Sequence, residues 1–149
     1  MTRILAAAAL AFLLGGAVPA RAEPVVYVAG DRNEFGTLSL TSGAFTPIGT
    51  LALPPGDLMF GMGFGPDGNL YGLDKQLPDA HLYRIDTTNA HLTDLGAIGL
   101  SNVDATADAN GKLYALSRDF NSTYYTMIPP SPATNVVGPT GIQIGRAHV

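Results

Sequence analysis

The sequence predicts an all-β protein built from a repeated four-stranded unit, and three observations support this. The 149-residue chain has 18 Gly and 11 Pro but few charges, as is typical of many short strands joined by turns. A Leu/Val-Tyr pair recurs at Tyr27, Tyr71 and Tyr114, at intervals of 44 and 43 residues. The strand and turn patterns around each pair keep the same phase. A period of about 43 residues with four strands per repeat predicts a β-propeller of four-stranded blades, about three of them present in this chain.

The first 22 residues differ in character from the rest. Thr2-Arg3 gives a positive start, an apolar run follows over residues 4–14, and Ala20-Arg21-Ala22 is a small-x-small cleavage site. This layout is that of a secretory signal peptide, which predicts export to the periplasm or the extracellular space. The apolar run is short for a bilayer span, so the mature chain is expected to have none.

Composition excludes several classes of function. The chain has no cysteine, which rules out disulfides, zinc–thiolate sites and thiol catalysis. Loss of Arg3 and Arg21 with the signal peptide would change the net charge from -4 to -6. An acidic mature chain with so few cations is not expected to bind nucleic acid.

The predicted blades span approximately 23–52, 57–98 and 101–141, and the first lacks its innermost strand. In the second blade the turn 65–69, Gly-Pro-Asp-Gly-Asn, leads into the strand that carries Tyr71; the third repeats this pattern with Asn110-Gly111 before Tyr114. Asp67 and Asn110 are interpreted as turn residues. A third strand and a closing strand follow each tyrosine.

The strand before each turn completes the four-stranded pattern. Bulky residues alternate along it in the second blade, in step with apolar residues of the third. The predicted equivalences place Phe60, Met62 and Phe64 against Val103, Ala105 and Ala107. On this alignment Asp104 is equivalent to Gly61.

The motif Gly-x-Asp-Gly-Asn-Leu-Tyr at 65–71, followed by Leu-Tyr-x-Ile-Asp at 82–86, resembles the repeats of bacterial secreted propellers. The NHL-like and gluconolactonase-like propellers are among these families. The resemblance extends over nearly the whole mature chain and implies the propeller fold. Its motif marks a blade, so it implies no particular activity.

The last residues, 142–149, have none of the blade chemistry. Ile144 to Val149 reads Ile-Gly-Arg-Ala-His-Val, which a common sequencing-library adapter encodes when it is read in frame. We interpret 142–149 as a non-native tail and expect the native chain to continue after about Gly141. The alternative is a genuine polar tail, since chain termini tolerate almost any composition. A native stop codon directly after Val149 would exclude the adapter interpretation.

Charged residues follow the tyrosine strand in all three repeats. They are interpreted as a ring around the mouth of the central channel, where convergent charges bind a polar ligand. The alternative is that they are solvated loop tips, because exposed pairs of opposite charge are common and weak. The predicted ligand-binding residues are Asp31, Arg32, Asp74, Lys75, Arg118 and Asp119.

Two further carboxylates are candidate metal ligands. Asp104 lies in the predicted innermost strand of the third blade, and Asp57 lies at the entry to the second. Together with backbone carbonyls they provide the oxygen ligands that Ca²⁺ prefers, although no dense acidic loop accompanies them. No other cofactor is expected. His81 and His91 are interpreted as surface or strand residues, since two scattered histidines do not form a coordination set.

Two functions remain open. The first is an exported, non-catalytic binding or scaffold module for a small ligand, a glycan or a protein partner. It is favoured because no catalytic or phosphate-binding motif occurs in the chain. The alternative is a propeller enzyme, a lactonase, another hydrolase or a lyase, whose channel site is completed by blades missing from this chain. Fold alone does not decide between them.

Overall fold

The computed structural model describes residues 24–74, 78–101, 103–117 and 122–140. The predicted signal peptide, the tail 142–149 and the residues Lys75, Arg118 and Asp119 lie outside these ranges. Within them the protein is all-β and has no helix, which confirms the predicted class. No helix in the described ranges is therefore long and apolar enough to cross a membrane.

The strands form three antiparallel sheets, each made of consecutive strands in chain order. Sheet I has three strands, whereas sheets II and III have four each. Sheet I contains β1 (Val25–Ala29), β2 (Glu34–Ser39) and β3 (Phe45–Thr50). Sheet II contains β4 (Met59–Phe64), β5 (Leu70–Asp74), β6 (His81–Ile85) and β7 (Leu92–Ala97). Sheet III contains β8 (Val103–Ala107), β9 (Leu113–Ser117), β10 (Thr123–Met127) and β11 (Asn135–Pro139).

The turn between β4 and β5 forms as its sequence predicts. Gly68 has a φ of 79°, a left-handed value that glycine adopts without steric cost. The Asp67 carboxylate accepts hydrogen bonds from the backbone N–H of Asn69 at 3.1 Å and from the Tyr71 hydroxyl at 2.8 Å. Asp67 thus holds the turn and anchors the tyrosine of the next strand.

The turn between β8 and β9 is held by Asp108, and not by the side chain of Asn110. Asp108 accepts hydrogen bonds from the backbone N–H groups of Asn110 at 2.8 Å and Lys112 at 3.1 Å. It also accepts one from the Tyr114 hydroxyl at 3.3 Å. Asn110 lies in the turn, as predicted, but the polar side chain that holds this turn belongs to Asp108.

One predicted equivalence between strands is wrong, because β4 contains a β-bulge. The register between β4 and β5 shifts between Met59 and Gly61, so Phe60 is the extra residue. Met59 is paired with the last residue of β5, as Val103 is with the last residue of β9. Met59, and not Phe60, is therefore equivalent to Val103, and both are buried.

Two hydrophobic cores join the three sheets. One combines Phe35 of sheet I with Met59, Leu70 and Ile85 of sheet II. The other combines residues of sheets II and III, namely Tyr71, Leu73, Leu82, Val103, Leu113 and Met127. Successive residues of β5 contribute to different cores, as expected when side chains alternate across a strand. Sheet II is therefore covered on both faces.

Strands β4 of sheet II and β8 of sheet III approach each other closely at a glycine. A Cβ atom added at Gly61 would lie 2.7 Å from the backbone nitrogen of Ala105 and would also collide with its carbonyl oxygen. Real Cβ atoms do not come this close to backbone, so β4 and β8 pack at this separation because residue 61 has no side chain.

The side chain of Asn33 connects sheet I to the segment that leads into the first strand of sheet II. Asn33 precedes β2 with a φ of 60°, a left-handed conformation that asparagine tolerates. Its amide nitrogen donates to the carbonyl of Asp57 at 2.9 Å, and its side-chain oxygen accepts from the N–H of Met59 at 3.3 Å. Its own carbonyl accepts from the N–H of Leu51 at 2.9 Å.

Candidate functional site

A cluster of polar side chains lies at one end of the strands of sheet II, where β5 ends and β6 begins. We call Asp74, His81, Tyr83 and Asp94 the rim cluster. Asp74 is fully buried and is the last residue of β5. Its Oδ1 atom accepts a hydrogen bond from the backbone N–H of His81 at 2.7 Å, and its Oδ2 atom accepts one from the Tyr83 hydroxyl at 3.1 Å. A buried carboxylate needs such donors, since desolvation otherwise disfavours its charge.

The other half of the rim cluster is a hydrogen-bonded pair of histidine and aspartate that is accessible to solvent. The Nδ1 atom of His81 lies 2.9 Å from Oδ2 of Asp94, and the two side chains are 27% and 50% exposed. Asp94 Oδ1 also accepts a hydrogen bond from the N–H of Gly96 at 2.8 Å. The register of β6 and β7 shifts between Leu82 and Tyr83, which places Asp94 opposite Tyr83. The bulge thus brings the Asp94 carboxylate to the histidine.

Tyr83 links the two halves. Its ring stacks against the His81 ring, with centroids 6.2 Å apart, while its hydroxyl donates to Asp74. Burial raises the pKa of the Tyr83 hydroxyl well above its usual range, and the negative charges of Asp74, Asp94 and Asp57 raise it further. Tyr83 therefore stays neutral and acts as a hydrogen-bond donor.

The predicted channel-rim charges have different surroundings. Asp31 and Arg32 are exposed in the turn between β1 and β2, where the backbone N–H of Arg32 donates to Glu34 at 3.1 Å. Asp74 is not the loop charge that the sequence indicates, because β5 extends to include it and buries it completely. Lys75, Arg118 and Asp119 fall outside the described residues, so the predicted ring stays a prediction for them.

The candidate calcium ligands lie on two different elements. Asp57 is half-buried just before β4, and Asp104 is half-buried within β8. Throughout the described ranges, no three or more His, Cys, Asp or Glu side chains are grouped so that they could hold a metal ion. The predicted calcium site has only two such side chains, together with backbone carbonyls, so it stays a prediction.

Sequence reasoning missed Tyr83 and Asp94 as members of a site. His81 was expected on the surface or in a strand, and it is the first residue of β6, partly exposed. One feature of the sequence could have indicated this site: Asp74 and His81 lie on either side of a predicted connection between two strands. Asp94 was hidden because its position depends on a bulge. Comparison with protein-family models and with curated proteins finds no match for this chain.

Proposed function

We propose that this chain forms blades of an exported, non-catalytic β-propeller that binds a polar ligand. One observation supports the propeller fold. Sheets II and III have four strands each in the same consecutive order and pack on each other, and sheet I packs on the opposite face of sheet II. Propeller blades pack in this way. The resemblance of its repeats to those of bacterial secreted propellers supports the same assignment, including export.

The hydrogen bonding of the rim cluster supports binding over catalysis. Both oxygens of Asp74 already accept hydrogen bonds from within sheet II, so this carboxylate serves to hold the strand ends. The exposed polar atoms belong to His81 and Asp94. A half-exposed carboxylate beside an imidazole favours a ligand with hydrogen-bond donors or positive charge.

A hydrolase or lyase is the second candidate, and one observation favours it. The Asp94 carboxylate lies within hydrogen-bond distance of Nδ1 of His81. In many enzymes a carboxylate at one ring nitrogen orients the histidine, which then acts as a general base through its second ring nitrogen. This pairing would serve a propeller enzyme such as a lactonase.

The test compares His81 with His91 in the full chain. A panel of small amines and lactones is screened by thermal shift and for lactone hydrolysis, using the wild-type protein and the variants His81→Asn, Asp94→Asn and His91→Asn. We expect a polar ligand of the panel to stabilise the wild type and His91→Asn but neither rim variant, and we expect no turnover.

Two results would overturn this proposal. Lactone hydrolysis that His81→Asn abolishes would establish the enzyme instead. Binding lost in His91→Asn and kept in His81→Asn would place the ligand away from the rim cluster, because His91 follows β6 at the opposite end of the strands.

A further inference from the structure

A second concave site lies at the other end of sheet II, where β5 begins and β6 ends. It is a cavity of about 370 Å³, within the size range typical of small-ligand sites. We call it the Phe64 cavity. Its lining combines the phenyl ring of Phe64 with polar side chains, among them Asn69, Arg84, Asp86 and Thr87.

Phe64 is a fixed and accessible aromatic surface. It is the last residue of β4 and is 47% exposed, so much of its ring surface is open to solvent. Its ring packs against the Tyr27 ring in an edge-on arrangement, with centroids 5.9 Å apart. Tyr27 in turn stacks on the buried ring of Phe35, with centroids 5.6 Å apart. Because this row of rings holds Phe64 in place, its exposed surface is preorganised for contact with a ligand.

Arg84 contributes a cation at the cavity. It is exposed on β6, and no carboxylate of the described residues lies within salt-bridge distance of its guanidinium. Its five N–H donors are arranged in a planar fork that binds oxygen atoms at fixed angles. The fork can therefore donate to ligand hydroxyl or carboxylate oxygens.

Asp86 contributes acceptors. A hydrogen bond from the Thr88 hydroxyl, at 2.7 Å, lowers the pKa of this exposed carboxyl, and the backbone N–H of Thr88 at 2.8 Å lowers it further. The carboxylate is thus ionised and held in one orientation. Asn69 and Thr87 add neutral groups that both donate and accept.

We propose that the Phe64 cavity binds a saccharide, with the apolar face of one pyranose ring on Phe64 and its hydroxyls on Arg84 and Asp86. A pyranose has an apolar face of C–H groups and a perimeter of hydroxyls, each of which both donates and accepts. An aromatic platform, a planar donor fork and a fixed acceptor around one cavity match both features. The site lies at the opposite strand ends from the rim cluster and does not require it.

Saturation-transfer NMR on the full chain tests the contact with the ring. Cellobiose supplies a neutral pyranose and digalacturonate an acidic one. We expect saturation to be strongest at the axial ring protons of at least one of them, since these would face Phe64. Phe64→Leu keeps an apolar side chain but loses the ring, so the affinity should fall about fivefold or more.

The matched control for this variant is Phe45→Leu. Phe45 is 44% exposed on β3 and does not line the cavity, so its loss should leave saccharide affinity unchanged. Equal losses in the two variants would overturn the proposal, as would saturation spread evenly over all sugar protons. Circular dichroism confirms that each variant keeps its sheet content before its affinity is compared.

Arg84→Gln provides a second test, with Lys112→Gln as its control, because Lys112 is a cation that does not line the cavity. Arg84→Gln should weaken binding of the saccharide by about fivefold or more, whereas Lys112→Gln should not. A larger loss of digalacturonate binding than of cellobiose binding in Arg84→Gln would identify the acidic sugar as the preferred ligand of Arg84, whereas unchanged binding of both sugars would overturn the proposal. Binding of sulfate at Arg84 with no saccharide bound would overturn it. These measurements do not depend on His81 or Asp94. Failure of the saccharide proposal can therefore be distinguished from failure of the proposal for the rim cluster.

Discussion

Strands β5 and β9 occupy the same place in consecutive sheets and differ little in sequence, yet their burial differs. β5 reads Leu-Tyr-Gly-Leu-Asp and is buried at every residue. β9 reads Leu-Tyr-Ala-Leu-Ser, and its residues alternate between buried and half-buried. Sheet II has a sheet on each face, whereas among the described residues sheet III has one neighbour. Burial of a strand is therefore set by what its sheet packs against as well as by its own residues.

The last residues of the two strands sharpen the comparison. Asp74 and Ser117 pair with the first residues of β4 and β8 respectively, and both are buried. Both sheets place a polar side chain at this strand end. Sheet II alone uses a carboxylate there, and that carboxylate accepts hydrogen bonds from β6.

The largest effect is expected from removing that carboxylate. Asp74→Ala leaves the His81 N–H and the Tyr83 hydroxyl without their acceptor in a buried place, so the free energy of unfolding should fall by about 3 kcal/mol. Ser117→Ala should cost about 1 kcal/mol, because no charge is involved. Urea unfolding followed by circular dichroism measures both values. Similar losses in the two variants would show that the Asp74 charge has no special role.

The next effect concerns the separation of sheets II and III. Gly61→Ala would push a methyl group into the Ala105 backbone, and we expect a loss of about 1–3 kcal/mol. The equivalent place in β8 already holds a side chain, that of Asp104. Gly30→Ala is the control: its new methyl would meet the side chain of Glu34, which can move. If both glycine variants unfold at the same urea concentration, the close approach of β4 and β8 does not constrain the fold.

The smallest expected effect is a difference between the two turns in how strongly they make folding stability depend on pH. Hydrogen bonds from Asn69 and then Tyr71 lower the pKa of the Asp67 carboxyl below its usual 3.8. A carboxyl whose pKa is lowered by folding stabilises the protein above the pKa of the unfolded chain, and this contribution is lost as the pH falls through the folded value. Tyr71→Phe should therefore flatten the loss of stability below about pH 4.

Tyr114→Phe should change that acid dependence much less. The pKa of Asp108 is lowered first by the backbone N–H of Lys112 and then by that of Asn110, with the Tyr114 hydroxyl a smaller cause. Urea midpoints measured from about pH 6 to pH 2 give the two slopes. Equal flattening in both variants would mean that the tyrosines hold the two turns in the same way.

The sequence was most informative where structure depends on neighbouring residues. The turn before β5 needs a residue that adopts positive φ and a short acceptor, and Gly68 and Asp67 provide them within a few positions. The tyrosine strands β1, β5 and β9 form where their β-branched, aliphatic and aromatic residues predict them. The all-β class follows from these local signals.

It was least informative where structure depends on an inserted residue or on a partner distant along the chain. The bulge at Phe60 changes which residue of β4 faces the core, and the pattern of bulky residues at every second position concealed it. Asp74 has the sequence context of a loop charge. Its burial depends on the Tyr83 hydroxyl, nine positions further along, and nothing in β5 itself indicates that bond.

The Asn33 side chain has a consequence for how sheets I and II can move. Apolar contacts hold two sheets together, but they do little to stop one sheet from sliding over the other because they are not directional. The amide of Asn33 bonds a carbonyl and an N–H of the segment that enters sheet II, and both bonds are directional. A lateral shift of one residue would break both at once. The hydrophobic core therefore holds the two sheets together, while one asparagine fixes their alignment.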